Sequence, residues 1–416
     1  MSFDLLQLQN KIKRDPESYK EEFTQQYQHF QSLLQVFQLD GSQGADANQL
    51  RNFSSLVTFL SHVTQCYKSD SKAFPSQLSE LLESSGETLD PGLRRNIAQA
   101  LILMSNRNMV SRMDLLPLMF KLFSIKDKEL RKILFNHIVN DIRRVNQKTN
   151  NVRVNSALQT FMYSMLKGDN EMAAKKSLDV MIELWRRKIW NNDKTVNVLV
   201  TACFSKHGSL LPIALSFFIG CDYYTDEYEE ENELVTLKQL TKDSKVMQVA
   251  KRRGKRQRQF ERQVAGVKKR GREKKSSEYS LSDLQTPINL VYDPQTFAER
   301  LFSKLKTSSA QFETRLKLMN VISRLIGAHQ LLLFNFYPFL QKYMQPHQKH
   351  VTSLLTYLAQ ASHELVPPDI IQPCIKTLAD HFVTDRSTPE IMAVGLNAIR
   401  EVDFFSCLII ISHLCL

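Results

Sequence analysis

The amino-acid sequence predicts an all-α fold: an α-solenoid in two helical blocks joined by a charged, mostly disordered insert. Three observations point there. Apolar residues recur at the helical period in segment after segment. Asp-Pro and Thr-Pro pairs mark sharp helix starts. Gly and Pro together supply only 25 of 416 residues, which excludes a collagenous or broadly low-complexity chain and disfavours a turn-rich β fold. With 43% apolar and 24% charged residues, the chain can bury a sizeable core. About ten helices are expected before the insert and about six after it, with no strand pair.

Residues 1–221 form the first block. Tyr19, Phe23, Tyr27, Phe30, Leu34 and Phe37 step by three or four residues, so they share one helix face. Asp15-Pro16 and Asp90-Pro91 read as helix starts. The aspartate oxygen accepts from a free backbone N–H, and proline at the first helical position has no N–H to lose. Leu130, Leu134, Ile138, Ile142 and Val145 repeat the apolar stripe within 127–148. The clearest unit runs from Met113, MDLLPLMFKLFSIKDKELRKILFNHIVNDI. One apolar helix ends near Phe123, Asp127 caps the next, and Arg131 follows in its first turn. This resembles a HEAT repeat, in which such an aspartate and a basic residue sit at the inner turn. The solenoid is therefore HEAT/armadillo-like, and a non-repetitive helical bundle is the competing architecture. WRRKIW, from Trp185 to Trp190, interleaves aromatics with bases. Trp185 and Ile189 are expected to pack while the bases face water, with stacking on nucleic-acid bases as the alternative.

Residues 291–403 form the second block. Asp293-Pro294 and Thr388-Pro389 are further starts. Phe312, Leu316, Met319, Ile322 and Ile326 make another stripe. VPPDIIQPCIKTLADHFV followed by STPEIMAVGLNAIREV reads as a second HEAT-like unit. The apolar tail 404–416 has 13 residues. That is short of the roughly 20 a membrane span needs, so no membrane contact is expected.

Charge separates the insert, 222–290, from both blocks. The net charge is +12. Between Lys245 and Lys275, fourteen Lys or Arg face only Glu261 and Glu273, so this one stretch accounts for the whole excess. Just upstream, Asp222 to Glu233 holds seven acids and no base. High charge with few large apolar residues cannot offset ordering entropy. The bland reading is a solvated linker. Two sharper readings can both hold. The cluster Lys251, Arg252, Arg253, Lys255, Arg256 and Arg258 lies upstream of Arg262. The cluster Lys268, Lys269, Arg270, Arg272, Lys274 and Lys275 lies downstream. Together they look like a bipartite nuclear import signal, which implies an import receptor as partner. The same density would hold RNA phosphates by counterion release. Leu234, Leu237, Leu240, Val246 and Val249 form a weak apolar stripe that could fold on a partner.

No catalytic constellation is found, so no enzyme, cofactor or small-molecule substrate is predicted. GVKKRGRE, from Gly266, lacks the Lys and hydroxyl of a phosphate loop. No Gly-x-Ser-x-Gly elbow and no His-Glu-x-x-His pair occurs. His347 and His350 could share a helix face, but nothing acidic or thiol-bearing lies beside them, so they read as surface histidines. The six cysteines, 66, 203, 221, 374, 407 and 415, are scattered. They indicate neither a disulfide framework nor a zinc ribbon, and a reducing intracellular compartment is expected. MSFDLLQLQNKIKRD has no apolar run long enough for a signal peptide.

The order of segments is more specific than any one motif. FDLLQLQNKIKRDPESY, NRNMVSRMDLLPLMFKLF, DYYTDEYEEENELVTLKQLTKDSK and LVYDPQTFAERLFSKL together resemble the Sda (severe depolymerisation of actin) family. These are nucleolar factors of large-ribosomal-subunit assembly. The resemblance implies a non-enzymatic HEAT-like factor that rides on nuclear precursors of the large subunit. It implies contact with rRNA and with ribosomal or assembly proteins, and a need for the factor in maturation and export. It also brings an association with actin organisation. A karyopherin-like transport adaptor and a cytoskeletal scaffold are the rival readings. The resemblance runs to about Glu401. Beyond it VDFFSCLIIISHLCL departs from the family, which continues for a few hundred residues. It reads as an alternative or shortened end, with poor solubility expected from an uncapped repeat.

Overall fold

A computed structural model describes residues 5–40, 47–146, 152–220, 287–307, 310–384 and 388–414. Among them are seventeen α-helices, a short 3-10 helix at Pro287–Leu290 and no strand. Eleven helices precede 221–286: α1 (Leu5–Arg14), α2 (Lys20–Asp40), α3 (Ala47–Val63), α4 (Phe74–Ser85), α5 (Pro91–Asn106), α6 (Arg112–Leu122), α7 (Lys128–Asn146), α8 (Val152–Lys167), α9 (Glu171–Arg186), α10 (Asp193–Ala202) and α11 (Leu210–Ile219). Six follow it: α12 (Pro294–Thr307), α13 (Phe312–His329), α14 (Phe336–Gln341), α15 (Val351–Ala361), α16 (Pro368–Phe382) and α17 (Pro389–Leu414).

The apolar stripes bury as their spacing requires. Phe23, Phe30, Leu34 and Phe37 of α2 are buried, with Tyr19 and Tyr27 half-buried at the rim. Phe30 stacks on Phe53 of α3 at 5.5 Å and meets Phe74 of α4 edge-on at 5.1 Å. Leu130, Leu134, Ile138 and Ile142 of α7 are buried, as are Leu316, Met319, Ile322 and Ile326 of α13. Each fully buried side chain of this size contributes roughly 1.5–3 kcal/mol of transfer free energy.

Helix starts at Pro91, Pro294 and Pro389 fall where Asp90, Asp293 and Thr388 place them. Asp15-Pro16 behaves differently. The Asp15 carboxylate accepts from Ser18 Oγ at 2.6 Å and from its backbone N–H at 3.4 Å. Those bonds hold the Asp15 carboxyl below the usual carboxylate range. They close a turn over 16–19, and α2 begins only at Lys20. The Tyr67 hydroxyl donates to the Pro16 carbonyl and pins that turn. The proline starts a turn here because its neighbouring donors are already satisfied.

The contacts divide the chain into two compact units. The first holds residues 1–191 with 205–210, and the second holds 192–204 with 211–416. In the first, α1, α3, α5, α7 and α9 stack in one row, while α2, α4 and α6 stack behind them. Within each row a helix touches the next but one in the chain, the arrangement of stacked hairpins, and α8 packs on α9. The second unit repeats it, with α13, α15 and α17 in one row and α14 and α16 in the other. Here α10 and α11 join the helices that follow 287. Asn197 Nδ2 donates to the Leu290 carbonyl at 3.3 Å, and Arg324 Nη1 donates to that of Ile219 at 2.8 Å.

Two glycines permit close helix approach. A Cβ at Gly327 of α13 would lie 2.2 Å from the Gln360 carbonyl oxygen of α15. One at Gly395 of α17 would lie 2.5 Å from Phe382 Cβ of α16.

Candidate functional site

In the first unit, three helices of the odd row start on a capping side chain. Asp90 accepts from the N–H groups of Gly92 (2.8 Å) and Leu93 (3.1 Å). Asp127 accepts from Glu129 (3.0 Å) and Leu130 (3.1 Å). Asn170 accepts from Met172 (3.1 Å) and Ala173 (3.2 Å). Each cap satisfies donors that a helix start leaves free and contributes about 1 kcal/mol. Four residues after the first two caps stand Arg94 and Arg131, and both reach back to the carbonyl seven positions earlier. Arg94 Nη2 donates to the Glu87 carbonyl at 3.3 Å and to that of Leu89 at 2.7 Å. Arg131 Nη2 donates to the Ser124 carbonyl at 3.4 Å. Arg95 pairs across to the next repeat, with Asp127 at 3.7 Å and with Glu129. The Asp127/Arg131 signature therefore recurs one repeat earlier as Asp90/Arg94, a repeat that the sequence reading missed.

The same count runs to the far end of these helices. Arg107, Arg144 and Arg187 each lie seventeen residues after Asp90, Asp127 and Asn170. Arg107 Nη1 donates to the carbonyls of Ser61 (3.0 Å) and His62 (3.1 Å) at the end of α3. Arg144 Nη1 donates to Asn106 Oδ1 at 2.6 Å, at the end of α5. Arg187 Nε and Arg186 Nη1 share Glu183, at 2.6 and 3.2 Å. Burial, then the charges of Lys13 and Arg107, depress the pKa of His62.

Asn146 and Asn155 exchange amide hydrogen bonds at 3.1 and 2.7 Å, and Trp190 Nε1 donates to Asn155 Oδ1 at 3.2 Å. That triad ties the end of α7 to α8 and to the segment after α9. Trp190 is fully buried, whereas Trp185 and Ile189 are half-buried and Arg187 and Lys188 exposed. The anchor of WRRKIW is thus Trp190 rather than Trp185, because the chain turns at Lys188 in the left-handed region (φ 54°). The turn sends the next two residues back toward the core.

The thirteen bases singled out between Lys251 and Lys275 lie outside the described residues. His347 and His350 are exposed. Burial pushes the Cys203 thiol up to about 12 and that of Cys374 to about 11, so both are unreactive as thiolates, while Cys66 is exposed. Among the described residues no three His, Cys, Asp or Glu converge on a common point, and no helix is long and apolar enough to cross a membrane. Met113 of α6 and Arg153, Ser156, Ala157, Thr160, Phe161 and Ser164 of α8 line an open groove of about 670 Å³.

Capped hairpins stacked in two rows define a HEAT-repeat helical scaffold. The family model described as SDA1, HEAT repeat, matches residues 59–414. The Protein SDA1 homolog of Dictyostelium discoideum is 46% identical over 402 residues, covering 96% of this chain and 52% of the relative. The homolog of Drosophila melanogaster is 46% identical over 402 residues, with 96% and 55% covered. Protein sda1 of Schizosaccharomyces pombe is 31% identical over 429 residues, with 96% and 57% covered. The chain belongs to the SDA1 family, and it spans about half the length of these curated relatives.

Proposed function

We propose that this chain is a non-enzymatic ribosome biogenesis factor, acting in the nucleus and nucleolus as a scaffold on the large-subunit precursor. In this reading it is needed for maturation and nuclear export of that particle. The helical rows hold ribosomal or assembly proteins, and the basic run 251–275 adds rRNA phosphate contacts. The observation that carries the reading is the concentration of the entire net charge of +12 at one stretch of a helical scaffold of this family. A basic arm of this kind binds RNA without reading sequence. Particle choice then falls to the folded units, and the arm adds affinity as a tethered second site.

The test is sedimentation of the tagged chain in nuclear extract, with and without ribonuclease. Co-migration with large-subunit precursors that is lost on ribonuclease treatment is the expected result. Migration as a small complex unaffected by ribonuclease would leave the transport-adaptor or cytoskeletal reading. A second expectation concerns import. Changing Lys251, Arg252, Arg253, Lys255, Arg256, Arg258, Lys268, Lys269, Arg270 and Arg272 to Ala should move a fluorescent fusion from nucleus to cytoplasm. An unchanged nuclear signal would rule out this stretch as the main import signal.

A further inference from the structure

The odd-row helices of the first unit run the same way, so their ends form two edges. One edge carries the caps Asp90, Asp127 and Asn170. The other carries the arginine column at the seventeenth position after each cap. Arg107 and Arg144 are tied to the preceding helix end, which fixes the ends of α3, α5 and α7 side by side. Around that frame stand Arg143, Arg187 and Lys188, all exposed. Arg143 makes no ion pair among the described residues, whereas Arg187 shares Glu183 with Arg186. Packed helices lie about 8–10 Å apart, so Arg143 at the end of α7 and Arg187 with Lys188 after α9 stand on neighbouring helix ends roughly 10 Å apart. The spacing is fixed by hydrogen bonds and by the buried Trp190 triad.

We propose that this edge, carrying Arg143, Arg187 and Lys188 on the frame of Arg107 and Arg144, is a docking ridge for the phosphate backbone of duplex RNA. It is separate from the basic run 251–275. Guanidinium groups hold phosphate through paired N–H donors, and Arg143 and Arg187 place one at each of two neighbouring helix ends. A rigid row suits a rigid polyanion whose backbone is read by shape. Single-stranded RNA is disfavoured because it needs exposed aromatic platforms, and Trp190 is buried. An acidic peptide is disfavoured because the groove lined by α6 and α8 offers only Met113 and Phe161 as large apolar anchors beside Arg153. The choice of RNA rests on the proposed function.

The experiment is a salt titration of the full chain on a mixed-sequence RNA duplex of about 20 base pairs. It is repeated with 245–275 deleted, and with the triple variant Arg143→Gln, Arg187→Gln and Lys188→Gln added to that deletion. Arg107 and Arg144 stay in place, so the helix ends remain tied. Gln330 holds the left-handed position after α13, so glutamine suits that conformation at Lys188. The deletion alone should still bind duplex. The triple variant should lose roughly a hundredfold in affinity, and its slope of log affinity against log salt should become shallower by about 2.7. Lysine at Arg143 and Arg187 should restore most of the slope, which a merely misfolded variant would not do. The proposal is overturned if the deletion alone abolishes duplex binding, or if the triple variant leaves affinity and slope unchanged. It is also overturned if that variant loses a polyglutamate ligand while keeping RNA, since the ridge would then serve an acidic protein. Ridge-dependent duplex binding without co-sedimentation would sink the proposed function and leave the ridge standing.

Discussion

Replacing Gly327 with valine is expected to destabilise the protein by about 3 kcal/mol or more, beyond the usual cost of overpacking. The α13–α15 contact has no room for a side chain at this point. A Cβ would sit 2.2 Å from the Gln360 carbonyl oxygen and 3.4 Å from its carbon. The obstacle is backbone, which cannot swing aside as a flexible side chain can. Ser323 Oγ donates to Gln360 Oε1 at 3.1 Å, so the two helices are also pinned one turn away. A glycine inside a helix normally costs about 1 kcal/mol against alanine, so open helical positions gain from substitution. Here the clash outweighs that gain, and even Gly327→Ala should lower the urea midpoint. Gly208→Ala is the control. Nothing lies within 4 Å of its Cβ, and it should stay within about 0.5 kcal/mol of the parent. A valine variant with unchanged stability would mean that α13 and α15 do not meet at Gly327.

Trp190→Ala should cost about 3–5 kcal/mol, the range for emptying a buried aromatic site. Trp190→Phe should cost about 1 kcal/mol, because it keeps most of the volume and loses only the N–H donated to Asn155. Asn155 retains Asn146 as its partner, so no amide is stranded. The Phe variant also separates two roles for this segment. If Trp190 serves packing, RNA affinity is unchanged and only the melting temperature falls. A large loss of RNA affinity with an unchanged melt would make Trp190 a stacking platform, and its burial would be wrong.

Much of this architecture was legible in the residues because periodicity reports burial directly. The stripes of α2, α7 and α13 needed only their three- and four-residue steps, and Asp127 with Arg131 marked a repeat turn. The misses have a common physical origin. Helix ends usually announce themselves by glycine in the left-handed conformation. Here Asn108, Lys188 and Gln330 hold that conformation, so the reversal that buries Trp190 carries no glycine signal. Asp15-Pro16 carries a start signal, but Ser18 captures its carboxylate and delays the helix. The composition break at 222 is plain, yet an amphipathic face does not name its partner. Nothing local shows that α10 and α11 pack with helices beyond 287. The arginine column emerges only when the repeats are aligned on their caps, and that needs Asp90/Arg94 to be seen as the same turn as Asp127/Arg131.

The hydrogen bonds of Arg107 and Arg144 all point toward the N-terminus. Each repeat closes the helix end made before it: Arg107 finishes α3, and Arg144 finishes α5. During synthesis the chain emerges in that same order. A helix leaving the ribosome therefore lacks this clasp until the next helix of its row arrives. The row grows like a zipper with one live tooth, always the newest. A pause in translation between Arg107 and Arg144 would leave α5 without its clasp, while α3, already tied by Arg107, would be finished. Rare-codon or stalling effects on this protein should accordingly map to the helix just made and spare those behind it.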